Sequence, residues 1–72
     1  MKTGMLWFDN DPSTDLPAKV RRAAGYYSGK YGKSPTLCFV ALNFKNPPAT
    51  VDGITIKPNR AILTDNLWIG QE

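Results

Sequence analysis

The chain contains no histidine and a single cysteine, Cys38. Without histidine there is no imidazole to serve as a general base or as a metal ligand. One thiol forms neither an internal disulfide nor a zinc-binding pair. No apolar run approaches the ~18 residues of a membrane span, and the apolar part of MKTGMLWFDND is too short for a signal peptide. Also missing are a nucleophile elbow, a phosphate-binding glycine loop and a close carboxylate pair with a plausible pocket. The expectation is a soluble cytoplasmic protein that is not an enzyme, with no catalytic residue, no cofactor and no metal.

What is present describes a globular unit. Seventy-two residues make one small domain, 1–72, which buries only about 60% of its unfolded surface. A hydrophobic fraction of 42% with two Trp, three Tyr and three Phe argues for a packed core over disorder. The net charge of +3 is unevenly placed. Residues 1–36 carry six basic and three acidic groups, whereas residues 37–72 carry three of each. The excess is a moderate basic patch, not a polycation.

The organising stretch is Leu16 to Lys33, LPAKVRRAAGYYSGKYGK, with five basic residues and no acidic one. At about 100° per residue, Leu16, Val20, Ala23, Ala24, Tyr27 and Tyr31 fall in one core-facing arc. Thr14 or Asp15 caps the start, Pro17 fits the first turn, Gly32 suits the left-handed C-terminal position, and Pro35 prevents continuation. Gly25 and Gly29 each cost about 1 kcal/mol relative to Ala, so packing must hold this helix.

Thr3 to Asp9 reads as a strand with Leu6 and Phe8 on one face and Met5 and Trp7 on the other. Thr36 to Phe44, TLCFVALNF, is apolar on both faces, as a central strand would be. The two strands should run parallel, joined by a right-handed crossover through the helix. KNPPAT is a loop. Ile54 to Lys57 alternates with Ile54 and Ile56 inward; Val51 begins this strand if Asp52-Gly53 makes a bulge or kink. Pro58-Asn59 is a turn, Ala61 to Leu63 a short strand or a tucked loop, and Leu67 to Gln71 a final strand. The fold class is α+β. A β-α-β-β(-β) domain packs one amphipathic helix on one face of a three- or four-stranded mixed sheet. A single helix leaves the second face apolar and exposed, with Trp7 and Trp68 as candidate interface residues, either of which can stack on the other.

Three further patterns have plain structural readings. Asp9, Asp11, Ser13 and Asp15 imitate an EF-hand start, but the sixth position is Thr14 rather than Gly and the twelfth is Val20 rather than Glu. The same DNDPST stretch after a strand has the DxDx form of haloacid-dehalogenase-type phosphotransferases, whose chains are far longer. A turn and helix-start acids account for it, with a divalent-cation site as the alternative. Lys19, Arg22, Tyr26, Lys30 and Lys33 form a second helix stripe suited to nucleic acid or another polyanion, or to a solvated face with long stems over apolar neighbours. Gly25 and Gly29 have GxxxG spacing, which outside a membrane reads as an exposed face.

The order WFDNDP, a helix ending KYGKSP, then TLCFVAL, VDGITIKP and LWIG, resembles small prokaryotic proteins of about 70 residues with no assigned function. The resemblance implies a complete protein and places no role on any residue. The residues themselves point to a small protein-interaction module that buries its open sheet face against a protein partner or a second copy, with polyanion binding by the helix stripe as the alternative.

Overall fold

The computed structural model describes residues 3–44 and 46–71, and for Thr3 the backbone alone. It contains β1 (Thr3–Phe8), α1 (Leu16–Tyr31), β2 (Leu37–Val40), β3 (Thr50–Val51), β4 (Ile54–Pro58) and β5 (Asn66–Gln71). One helix packs on one face of a five-stranded mixed sheet, giving an α+β domain. The sheet has two more strands than the minimum expected and one more than the maximum.

The helix begins and ends where its caps dictate. The Asp15 carboxylate accepts from the Ala18 N–H at 3.0 Å, satisfying one of the orphan amides of the first turn. Gly32, at φ 70°, turns its N–H back to the Ser28 carbonyl at 2.8 Å. Leu16, Val20, Ala23 and Tyr27 are buried against the sheet, while Tyr31 is partly exposed.

The strand order is β1-β5-β2-β4-β3. β5 is antiparallel to both β1 and β2, so β1 and β2 run in the same direction with β5 inserted between them. β2 occupies the middle of the sheet and is parallel to β4. Cys38 and Val40 face the helix together with Leu67, Ile69, Ile54, Ile56 and Val51, and these make the core.

Two details depart from the sequence reading, and a third resolves an alternative it left open. β2 ends at Val40 rather than reaching Phe44. There it lies opposite Pro58, which has no N–H to continue the ladder, and the Asn59 N–H closes the end by donating to the Val40 carbonyl at 2.9 Å. Asp52-Gly53 is a two-residue hairpin turn, not a bulge. Both residues have positive φ, 50° and 80°, as a type I′ turn requires, so Thr50–Val51 becomes a fifth strand. Ala61 to Leu63 is a loop tied by the Ala61 N–H to the Asn59 side-chain oxygen at 2.8 Å. Lys45, at the start of KNPPAT, lies outside the described residues.

The Cys38 thiol is fully buried, and burial pushes its pKa up to about 12. An unfolded thiol ionises near about 8.5, so stability from this group falls as pH rises from that value toward the folded one. Cys38 should therefore react with a thiol reagent only on global unfolding. Cys38→Ser should lower unfolding free energy by about 1–3 kcal/mol, because the hydroxyl enters an apolar site. Rapid labelling of the native protein would contradict this placement.

Candidate functional site

The sheet has two unlike faces, and register decides which side chains occupy each. Leu6 pairs with Trp68, Trp68 with Phe39, and Phe39 with Lys57. Since Cys38, Ile69 and Ile56 face the helix, these neighbours point the other way. The uncovered face thus carries the cross-strand row Leu6, Trp68, Phe39, Lys57. Phe8 lies on the same side two residues beyond Leu6.

Within this row the exposure grows toward the sheet edge. Trp68 and Phe39 are half-buried and meet ring to ring, centroids 5.5 Å apart and tilted by 38°. Leu6 is 66% exposed and Phe8 62% exposed. At the end of the sheet where β1 finishes, Leu42 and Leu63 in the adjoining loops are also exposed. Exposed apolar side chains grouped on one face make that face the candidate docking surface.

Gly4 shapes this face, and sequence reasoning passed over it. The Trp68 indole occupies the space over Gly4: a Cβ there would stand 2.0 Å from the ring atom Cζ2. A glycine followed two positions later by Leu6, with an aromatic on a neighbouring strand, was the available signal.

The two tryptophans predicted as partners are not brought together. Trp7 projects to the helix side, where its ring packs against Tyr26 at a centroid distance of 5.4 Å and against the core. Its Nε1 is buried with no acceptor among the described residues. Trp68 alone lies on the open face. Alternation within each strand left this choice open, because it fixes parity along one strand and not between two.

The basic stripe is also divided. Lys19 is buried, and its ammonium donates to the Asp9 carbonyl at 2.9 Å. Arg22 Nη1 lies 3.3 Å from Asp9 and 3.7 Å from Asp11. Tyr26 is half-exposed with its ring on Trp7. Lys30 sits 5.5 Å from the Tyr31 ring centroid, and Lys33 lies exposed just past the helix. Two members of the stripe therefore anchor the β1–α1 loop, leaving Lys30 and Lys33 at the far end of the helix. Arg21 pairs elsewhere, with Asp52 at 3.0 Å.

The acidic loop spends its carboxylates internally. Asp9 accepts from the Asp11 N–H at 3.1 Å. Asp11 accepts from the Thr14 hydroxyl at 2.6 Å, the Ser13 hydroxyl at 2.7 Å and the Ser13 N–H at 3.0 Å. Those bonds, led by Thr14 and assisted by the Arg22 charge, hold the Asp11 carboxyl well below the usual carboxylate range. The resulting stability is present above the unfolded value of about 3.9 and is lost as pH falls through the folded one. Asp15 caps the helix. Among the described residues no group of three metal-ligating side chains converges.

A groove of about 290 Å³ lies between α1 and the β3–β4 hairpin, lined in part by Ala24, Gly25, Ser28, Ser34 and Pro35. Its charged members, Arg21 and Asp52, neutralise each other. Gly25 and Gly29 have nothing within 4 Å of where a Cβ would stand, in keeping with an exposed face.

No protein family, no curated protein and no solved structure matches this chain. Among the described residues, no helix is long and apolar enough to cross a membrane.

The Gly4–Trp68 contact yields a direct test. Gly4→Ala forces the indole off the strand, and chemical denaturation should show a loss of about 1–3 kcal/mol, the usual range for overpacking. The Trp68 indole resonance should shift with it, while that of Trp7 stays in place. Unchanged stability and an unmoved Trp68 signal would show that the ring does not lie over Gly4.

Proposed function

We propose that this protein is a small, non-enzymatic interaction module of the cytoplasm. Its working surface is the open face of the sheet together with the β1 edge that bounds it, through which it associates with a second copy of itself. The observation that carries the reading is the row Leu6, Trp68, Phe39 with Phe8 beside it, apolar and uncovered by the single helix. Apolar surface removed from water contributes about 25 cal/mol per Å², and aromatic residues dominate binding hot spots. Leu6, Phe8, Phe39 and Trp68 replace the pair Trp7 and Trp68 as the anchors, because Trp7 serves the helix side. The buried, unpaired Cys38 accords with a reducing compartment.

Polyanion binding by the helix is the weaker reading. Lys19 and Arg22 are engaged by the acidic loop, and the pair left exposed, Lys30 and Lys33, is a short footprint for a phosphate backbone.

Light scattering over a concentration series from micromolar to millimolar tests the proposal. The mass should rise toward twice the monomer value as concentration increases. Leu6→Ser with Phe8→Ser should hold the protein monomeric and leave its thermal midpoint within a few degrees, since both residues are largely exposed. A parent protein that stays monomeric throughout would overturn the reading.

A further inference from the structure

The two edges of the sheet differ in a way that says how a second copy docks. One edge is β3, only two residues long and preceded by Pro47 and Pro48. The other is β1, a six-residue strand, TGMLWF, spanning about 20 Å. Natural edge strands are blunted by charges, prolines, bulges or extreme shortness. β1 has none of these: no charged residue, no proline, and an unbroken one-to-one register with β5 from Thr3↔Gln71 to Phe8↔Asn66.

The direction of its free backbone groups follows from the ladder. The Asp9 N–H donates to the Asp65 carbonyl at 2.9 Å, so at Asp9 the backbone points toward the β5 side. Antiparallel ladders alternate residue by residue. The N–H and C=O groups of Gly4, Leu6 and Phe8 therefore point to the open edge. Their side positions lie on the uncovered face, where Leu6 and Phe8 are the most exposed of the strand's apolar side chains.

We infer that two copies pair antiparallel through β1, with the twofold axis at Leu6, to form one continuous ten-stranded sheet. This rests on the proposed self-association and specifies its geometry: the seam covers Leu6 and Phe8 at the margin of the open face, while Trp68 and Phe39 stay on that face beside it. In this register Leu6 faces Leu6 of the second copy and exchanges reciprocal N–H···O=C bonds with it. Gly4 faces Phe8, small against large, and Met5 faces Trp7 on the helix side. The row Phe39, Trp68, Leu6 then runs across the axis into Leu6, Trp68, Phe39 of the other copy. Because β1 is uncharged, no like charges meet at the seam. An edge contact of this length falls in the weak class, below roughly 1,200 Å² in total, so the dimer should be populated only at high micromolar concentration and above.

Cysteine cross-linking and amide exchange test the geometry together. Cβ atoms directly opposite in an antiparallel pair are about 4.5–5.5 Å apart, close enough for a disulfide after slight adjustment. Under mild oxidation Leu6→Cys should convert to a covalent dimer. Phe8→Cys should not, because its two copies would stand about 13 Å apart along the strand. The parent protein, whose one thiol is buried, is the blank. In the parent, the amides of Gly4, Leu6 and Phe8 should exchange about two- to threefold more slowly at 1 mM than at 20 μM, as the edge becomes paired. A dimer by light scattering without this protection, or with Phe8→Cys linking as readily as Leu6→Cys, would overturn the edge geometry and leave face-to-face stacking. A monomer by light scattering would overturn both this geometry and the self-association beneath it.

Discussion

One helix must shield a sheet wider than itself, and the rest of the molecule follows from that mismatch. A 16-residue helix is about 24 Å long and about 10 Å across. Five strands at about 4.8 Å spacing span about 19 Å between the outermost strands. Tyr27, Val20 and Ala23 are wholly buried, and they meet Cys38, Val40, Ile56, Leu67 and Ile69 in the core. Each large side chain taken from water there contributes about 1.5–3 kcal/mol. The helix has no surface left for the opposite face, where Phe39 and Trp68 cover only each other, Gly4 and their near neighbours.

The loop between β1 and α1 explains why a basic helix sits stably beside an acidic turn. Asp11 gathers Ser13 and Thr14, Asp15 caps the helix, and Lys19 and Arg22 reach back one and two turns later to hold Asp9. The Arg22 guanidinium in this brace is about half exposed, and ion pairs open to solvent in that way are worth ~0–1 kcal/mol each. The Lys19 contact is of another kind, since a buried ammonium deprived of its carbonyl would be left without compensation. The charges of this region therefore read as a local brace for the start of the helix.

Local features of the fold were legible in the sequence, and long-range ones were not. Asp15, Pro17 and Gly32 mark the helix ends because capping chemistry is written within a few residues. Alternation in Ile54–Lys57 and in Leu67–Gln71 marks strands for the same reason. Asp52-Gly53 is a hairpin signal that reads as a bulge or kink when Val51 is taken as the start of the strand that follows and Thr50 as the end of the loop before it. The insertion of β5 between β1 and β2 has no local signature, since strand order follows from the whole set of pairings. That order in turn sets the relative parity of β1 and β5, which puts Trp68 on the open face and Trp7 under the helix. Lys19 was unreadable as a buried residue because its partner is a backbone carbonyl ten residues earlier.

The claim that function resides on the uncovered sheet face is tested most directly by a dilution series of amide NMR spectra of the unaltered protein. The account predicts that chemical shifts move with concentration in Gly4 to Phe8, at Phe39 and in Asn66 to Gln71, while those of α1 stay fixed. Shifts confined to the end of the helix around Lys30 and Lys33, or spectra that do not change between micromolar and millimolar protein, would contradict it.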